Sequence, residues 1–145
     1  QNLPSTVYSI GNKIVTKGSK FNYNDFHSSL FKFKNGLIGK ITANFGCMHP
    51  HQHVIKIFGT KGTFIYDDRG PRIFYEKKEN TSAIKLSYPA KPQKKGLLIH
   101  NFIDDILNGN WSGAAQKEFN LMSSVLAADK SMETGNETEV KYLQC

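Results

Sequence analysis

Apolar and polar residues alternate with a period of two in several short runs along the first two thirds of the chain. The clearest pair covers residues 54–58 and 63–66, on either side of Gly59-Thr60-Lys61-Gly62. Such alternation predicts β-strands, because successive side chains of a strand point to opposite faces. The two glycines tolerate a positive φ, so the chain can reverse between the runs. We therefore predict a hairpin here, with the rest of the β-structure organised around it.

Further runs of the same kind are separated by residues that favour turns. Asn35-Gly36 is the strongest turn signal, since both residues tolerate the left-handed conformation that a type I′ hairpin turn requires. Asp67 and Asp68 stand in another predicted turn, where we expect both carboxylates to be solvated. Besides the central hairpin, the predicted strands cover residues 7–15, 26–33, 37–45, 72–77, 83–88 and 138–143.

The period changes to that of a helix in the last third of the chain. Apolar residues recur at helical spacing in two segments, which end at Asn108-Gly109 and at Gly135 as left-handed caps do. In the second segment Ala127 and Ala128 allow close approach to a neighbour. The apolar residues are Leu98, Ile99, Phe102, Ile103, Ile106 and Leu107, then Phe119, Met122, Val125, Leu126 and Met132. Strands followed by helices predict one α+β domain over residues 1–145, an open, largely antiparallel β-sheet with two main helices packed on one face.

The second face of the predicted sheet also carries apolar and aromatic side chains. Two helices cover only one face of a sheet with at least six strands, so the other face must meet solvent, another domain or another subunit. Since aromatic residues occur on both alternations of the strands, we predict a homodimer or tetramer that forms through the open sheet face.

The charge of the chain limits the possible partners. Lys and Arg number 19 against 12 Asp and Glu, a formal net charge of +7, but Arg69 and Arg72 are the only arginines. Proteins that read nucleic acid concentrate Arg on one face or follow a known module, so we predict no nucleic-acid partner. The diphosphate of a sugar nucleotide would suit the same charge.

Cysteine content and hydropathy indicate the compartment. Cys47 and Cys145 form no disulfide framework, and no apolar run approaches the roughly 20 residues that span a bilayer. We therefore expect a cytoplasmic protein without a membrane partner. The sequence does not begin with Met, which suggests a piece of a longer chain.

Three histidines alternate in His49-Pro50-His51-Gln52-His53. In an extended segment their imidazoles would point to one side, where they could hold a metal, face a substrate or lie at an interface. A metal site built on one strand usually needs a ligand from elsewhere, which the sequence does not identify, so we favour the substrate-facing interpretation. We interpret His27 and His100, which are isolated, as structural. Glycine-rich phosphate loops and a nucleophile elbow are not found in the sequence, and no catalytic set is visible.

Four segments together resemble a known family. They are Phe33-Lys34-Asn35-Gly36-Leu37-Ile38-Gly39-Lys40-Ile41, Ile57-Phe58-Gly59-Thr60-Lys61-Gly62-Thr63, Phe102-Ile103-Asp104-Asp105-Ile106-Leu107-Asn108-Gly109 and Ala127-Ala128-Asp129-Lys130-Ser131-Met132-Glu133-Thr134-Gly135. Their order and spacing resemble the C-terminal domain of the glucose–fructose oxidoreductase / inositol dehydrogenase (Gfo/Idh/MocA) family. The resemblance runs from residue 25 to residue 140.

This resemblance implies a sheet that binds a sugar-like substrate and mediates assembly, with NAD or NADP bound by an N-terminal Rossmann domain. Members carry a glycine-rich loop, a Glu-Lys-Pro motif and an Asp-x-x-x-His motif, and these patterns are not found in this sequence. We therefore assign no catalytic, cofactor-binding or metal-binding residue and expect no cofactor on this chain alone. Residues 44–53 resemble the segment where the family's strands approach substrate, so the predicted substrate-facing residues are Asn44, His49, His51 and His53.

The sequence thus predicts the substrate-side and oligomerisation domain of an NAD(P)-dependent oxidoreductase that acts on a sugar or sugar nucleotide. Such a domain would be inactive alone. The alternative is a free-standing binding or assembly module for an anionic ligand.

Overall fold

The computed structural model of the chain describes residues 2–79, 81–87 and 96–144. Tyr88, at the end of the predicted strand 83–88, and Cys145 lie outside the described residues. In chain order the elements are β1 (Pro4–Asn12), β2 (Phe26–Phe33), β3 (Ile38–Asn44), β4 (Ile55–Phe58), β5 (Thr63–Tyr66), β6 (Arg72–Phe74), β7 (Ile84–Lys85), α1 (Leu97–Leu107), α2 (Trp111–Thr134) and β8 (Thr138–Glu139). The predicted α+β class with open antiparallel sheets is confirmed.

The chain forms two compact units, each with a sheet of its own. The first unit comprises Gln1–Cys47 and Gly96–Cys145, and its sheet has the strand order β3-β2-β1-β8. The second comprises Met48–Lys95, with the order β4-β5-β6-β7. All described strand pairs are antiparallel. The strands that we expected around one central hairpin are thus divided between two four-stranded sheets.

Helix α2 covers one face of the first sheet. It packs across β1 and β8, and α1 contacts α2. The core between helix and sheet consists of Val7, Phe31, Ala127, Ala128 and Val140, each at most 8% exposed. Ala127 and Ala128 therefore permit the close approach that the sequence predicted, because a small side chain lets the helix backbone come near the strands.

The opposite face of the first sheet carries exposed apolar side chains. The strand register places Tyr8 opposite Leu30, and Leu30 opposite Lys40, on this face. Tyr8, Ile10, Leu30 and Ile38 are 41–62% exposed. We call this surface the open face. Its apolar character agrees with the pattern on which the assembly prediction rests.

The hairpin between β2 and β3 turns differently from the prediction. The N–H of Gly36 donates to the carbonyl of Phe33, and the N–H of Phe33 donates to the carbonyl of Leu37, each at 3.0 Å. Gly36 has a φ of 85°. This pattern is typical of a three-residue loop ending in a left-handed glycine, not of the two-residue type I′ turn that we expected.

The hairpin between β4 and β5 forms where the sequence places it, but for another reason. Gly59 donates its N–H to the carbonyl of Gly62 at 3.0 Å, and neither glycine has a positive φ. A Cβ atom on Gly62 would lie 3.1 Å from the carbonyl oxygen of Phe74 and 3.2 Å from the ring of Tyr75. Glycine is needed here because the neighbouring strand comes close, not for left-handed backbone.

Gly11 in β1 is a second position of close approach, and it supports a prediction. A Cβ atom there would lie 2.8 Å from Asn24 Nδ2, 2.9 Å from the Phe26 carbonyl oxygen and 3.0 Å from Met132 Sδ. We expect Gly11→Ala to lower the free energy of unfolding by about 1–3 kcal/mol, because the strand carbonyl cannot move aside without disturbing the sheet. Urea unfolding measures the change.

The matched control is Gly113→Ala in α2, where a Cβ atom would meet nothing within 4 Å. This variant should be as stable as the parent chain or more stable by about 0.5–1 kcal/mol, because Gly is a poor helix former. Equal stabilities of the two variants would contradict the role assigned to Gly11.

Candidate functional site

The histidine segment precedes β4 in the second unit and brings two of its three imidazoles together. His51 Nε2 and His53 Nε2 are 3.2 Å apart, with ring centroids separated by 4.8 Å and ring planes perpendicular. One of these nitrogens donates a hydrogen bond to the other. His49 Nδ1 instead donates to the carbonyl of Pro50 at 2.7 Å. The imidazoles that act as a pair are therefore those of His51 and His53.

A cavity of about 500 Å³ opens beside this pair, and we call it the histidine pocket. It is lined by His51, Gln52, His53, Tyr66, Asp67, Asp68, Gly70 and Pro71. With its amide nitrogen facing the carboxylate, Gln52 donates to Asp68 at 3.2 and 3.3 Å. Imidazole, amide and carboxylate groups thus meet in one pocket, which supplies both donors and acceptors for a polar ligand.

Asp67 fixes one wall of the histidine pocket through an ion pair. Arg72 donates to its two oxygens at 2.6 and 2.7 Å, and the N–H of Arg69 donates at 2.9 Å. The Arg72 guanidinium holds the pKa of Asp67 well below its usual range, and the Arg69 N–H acts in the same direction. The expectation that Asp67 is simply solvated is wrong. An Arg placed after the Gly70-Pro71 turn was the available signal, because such a turn brings it back to the aspartate.

The metal hypothesis finds no matching geometry in the described residues. No group of three or more His, Cys, Asp or Glu side chains there is arranged to hold a metal ion. His49 diverges from the pair formed by His51 and His53, so the three do not form the one-sided cluster that an extended strand would give.

Asn44 lies at the end of β3 in the first unit. It pairs with Phe26 in the register, is exposed, and accepts the Gly46 N–H on its Oδ1 at 3.0 Å. The bond fixes its side chain to the following turn. Its substrate-facing role, like that of His49, His51 and His53, stays a prediction.

The ion pair of Asp67 predicts a pH dependence. A carboxylate whose pKa is lowered by folding stabilises the native state fully above its unfolded pKa of about 3.9, and this contribution is lost as the pH falls below that value. We expect the urea midpoint of the parent chain to fall more steeply from about pH 5 to about pH 2.5 than that of Asp67→Asn.

The matched control is Glu79→Gln, which changes an exposed carboxylate of the same unit. Its pH profile should follow that of the parent chain. Asp25 and Glu137, whose pKa values hydrogen bonds also lower, are present in all three proteins and contribute equally. Parallel profiles for the parent and Asp67→Asn would contradict the prediction.

The helices of the described chain lack the combination of length and apolar character that crossing a bilayer requires.

Comparison with protein-family models gives no match, and neither does comparison with curated proteins. Solved structures do match. A protein from Desulfitobacterium hafniense, inferred to be an NADPH-dependent oxidoreductase, superposes with a TM-score of 0.73 at 18% identity, over 95% of this chain and 42% of that one. Levoglucosan dehydrogenase in complex with NADH and L-sorbose gives 0.68 at 15% identity, over 97% of this chain and 46% of that one.

The WlbA dehydrogenase from Bordetella pertussis, in complex with NADH and UDP-GlcNAcA, gives a TM-score of 0.66 at 14% identity, over 97% of this chain and 40% of that one. These neighbours are oxidoreductases of the Gfo/Idh/MocA type, so the resemblance predicted from the four motifs is confirmed at the level of the fold. This chain spans less than half the length of each of them.

Proposed function

We propose that this chain is the C-terminal, substrate-side and oligomerisation part of an NAD(P)-dependent oxidoreductase that acts on a sugar or sugar nucleotide. The observation that carries the proposal is the extent of the structural match. Nearly the whole chain superposes on 40–46% of each neighbour, and the neighbours include sugar and sugar-nucleotide dehydrogenases bound to NADH. A part of this kind would contribute substrate contacts and assembly surfaces.

In the complete enzyme a hydride would move between a nicotinamide and a carbinol carbon, while a residue outside this chain handles the hydroxyl proton. The histidine pocket would contribute hydrogen bonds to hydroxyl groups, because imidazole and amide groups can donate and Asp68 can accept. His49, His51, His53 and Asn44 would position substrate in this scheme. The chain alone would bind neither NAD nor NADP and would not turn over a sugar.

The open face would supply the assembly surface. Tyr8 and Leu30 lie side by side in the register and are 44% and 41% exposed. Ile10 and Ile38, on the same face, enlarge this apolar surface. Exposed apolar side chains that share one face of a sheet mark an interaction surface. A second copy of the chain, related by a two-fold axis, would bury these side chains against its own open face. A homodimer or tetramer is therefore proposed.

The experiment that tests the proposal is the mass of the chain in solution, measured by light scattering over a range of concentrations. We expect a dimer or tetramer that dissociates on dilution, and no oxidation of a sugar by NAD or NADP in the same samples. A strict monomer would remove the assembly part of the proposal. Turnover of any sugar by the chain alone would contradict the proposal that the chain is inactive by itself.

A second candidate function is that of a free-standing module that binds an anionic ligand. A row of basic residues across the second sheet favours this candidate. The register of β4 to β7 aligns Lys56, Ile65, Arg72 and Lys85 in one row. Arg72 is neutralised by Asp67, which leaves the two lysines for a ligand. Saturable binding of a sugar nucleotide that is lost in Lys56→Gln and Lys85→Gln would support this candidate.

A further inference from the structure

A second cavity, of about 610 Å³, lies in the first unit between the loop that joins β1 to β2 and the C-terminal half of α2. Aromatic side chains of the loop and of the end of β3 form one side of it, and carboxylates of α2 form the other. We propose that this groove, the aromatic groove, binds the ring of an uncharged sugar or a similar polyol. The inference rests on the proposed function and adds a sugar subsite in the first unit to the histidine pocket of the second unit.

The aromatic side of the groove presents rings to solvent. Tyr23 and Phe45 are each 76% exposed and Phe21 is 40% exposed. The rings of Phe21 and Tyr23 meet edge to face, with centroids 5.8 Å apart and a 70° angle between their planes. Clustered exposed aromatics beside a concave, partly polar surface are typical of a ligand site. Their faces suit the C–H face of a sugar ring, which is apolar while its edge is polar.

The polar side of the groove supplies acceptors on one helix. Asp129 and Glu133 stand four residues apart on α2, so both carboxylates lie on the same helical face. Both residues are exposed. Like charges at this spacing disfavour the helix, and nothing in the packing of the core requires them. Ionised carboxylates only accept hydrogen bonds, and hydroxyl groups are donors that they can bind.

Amide and imidazole groups complete the lining. Asn22, Asn24 and His27 also line the groove, and Asn24 Nδ2 contacts Met132 Sδ at 3.7 Å. Asn and His can donate as well as accept, and a polyol needs partners of both kinds. An organic cation could donate hydrogen bonds to the carboxylates, but it would offer no acceptor to the N–H groups of the amides and the imidazole. His27 therefore lines a candidate site, whereas its isolated position in the sequence suggested a structural role.

The charge of the groove selects against anionic sugars. None of the nine residues that line it is Lys or Arg, although the chain carries a net charge of +7. A phosphate or carboxylate on the ligand would face Asp129 and Glu133 without a cation to neutralise it, which costs free energy at close range. An uncharged ring is the ligand that fits all the lining groups.

A buried aspartate joins the two segments that form the aromatic side of the groove. Asp25 is 1% exposed, and its carboxylate accepts the N–H and the hydroxyl of Thr16 at 2.7 and 3.0 Å. Its carbonyl accepts the N–H of Phe45 at 2.8 Å. The loop and the end of β3 are thus tied to the same residue, so the backbone segments that carry the aromatic side are held together before a ligand arrives.

The test is NMR titration of the chain with three probes of the same ring: D-glucose, protonated D-glucosamine and D-glucose 6-phosphate. We expect saturable binding of glucose, with chemical-shift changes at residues 21–27, 45 and 129–133. The dissociation constant of the 6-phosphate should be at least about tenfold higher than that of glucose. Glu133→Gln and Tyr23→Ala should each weaken glucose binding about tenfold, because one removes a charged acceptor and the other a stacking surface.

The controls are Glu118→Gln, an exposed carboxylate of the same helix outside the groove, and Tyr75→Ala, an exposed tyrosine of the second unit. Both should bind glucose as the parent chain does. Absence of saturable glucose binding, tighter binding of glucosamine or of the 6-phosphate, or unaltered binding by Glu133→Gln and Tyr23→Ala would each overturn the inference. An oligomer that binds no sugar would leave the proposed function standing, whereas a monomer that binds glucose in this groove would support the inference and remove the assembly.

Discussion

Leu30→Asp is expected to convert an oligomer of this chain into monomers. Leu30 lies in β2 on the open face, between Tyr8 of β1 and Lys40 of β3 in the register. In a two-fold interface each substitution occurs twice, so two carboxylates would enter one apolar contact. Burying charge in an apolar interface costs about 2–5 kcal/mol, so we expect the dissociation constant to rise by at least about 30-fold.

The monomer itself should tolerate this substitution. Leu30 is 41% exposed, so its replacement removes little from the core. The new carboxylate would face the ammonium of Lys40 across the strands, and opposite charges in a cross-strand pair contribute roughly 0.2–1 kcal/mol. Loss of association would therefore not follow from unfolding, which a thermal melt of the variant can verify.

Sedimentation velocity over a concentration series measures the effect, and Ile41→Asp is the matched control. Ile41 is 57% exposed and pairs with Ser29, which places it on the opposite face of the same sheet. The control should assemble as the parent chain does. If Leu30→Asp keeps the parent dissociation constant, the open face is not the assembly surface.

The sequence predicted those features that short stretches of chain determine. The period of two placed β2 at Phe26–Phe33 without error, and Gly135 ends α2 with a φ of 69° as a left-handed cap does. Asn108 follows α1, and Gly109 has a φ of 71°. Strand alternation and helix caps depend on neighbours within a few residues, so they can be recognised without tertiary structure.

Contacts between distant residues explain what the sequence did not predict. The predicted strand 138–143 is reduced to Thr138–Glu139, and α2 begins at Trp111, before its first predicted apolar residue, Phe119. Pairing of β8 with β1 is limited to Thr6 and Val7. Propensity cannot give such a limit, because it contains no information about the neighbouring element.

The candidate sites show the same division. The histidine segment is visible in the sequence because its three imidazoles alternate, although only His51 and His53 come together. The aromatic groove joins Tyr23 to Glu133, which are more than a hundred residues apart in the chain. Tyr23 stands in no motif, and the segment 127–135 that contains Glu133 gives no sign of Tyr23, so no local pattern could indicate that they share a cavity.

Ser131→Ala is expected to lower the free energy of unfolding by about 1–3 kcal/mol, because it leaves the buried N–H of Ser9 without its partner. Ser131 is fully buried on α2, and its hydroxyl oxygen accepts the N–H of Ser9 at 2.9 Å. The same hydroxyl donates to the carbonyl of Asn136 at 2.6 Å. Ser9 lies outside the helix, so the helix backbone cannot replace its bond, whereas the carbonyl of the exposed Asn136 also accepts the Thr138 hydroxyl at 3.4 Å.

The geometry of the sheet explains why a helix side chain meets a strand N–H here. β8 pairs with β1 at Thr6 and Val7 only, so the N–H of Ser9 lies beyond the end of that pairing. The hydroxyl of Ser131 takes the place that a longer β8 would have filled. This contact gives Ser131, in the segment 127–135 that resembles the family, a structural role, while Gly135 of the same segment donates its N–H to the Ser131 carbonyl at 2.9 Å.

Urea unfolding followed by circular dichroism measures the loss, and Ser124→Ala is the matched control on the same helix. The Ser124 hydroxyl donates at 3.0 Å to the carbonyl of Asn120, one turn earlier in α2. Its removal should cost at most about 0.5–1 kcal/mol, because that carbonyl is already part of the helix ladder. A loss for Ser131→Ala no larger than that of the control would mean that the helix hydroxyl does not complete the edge of β1.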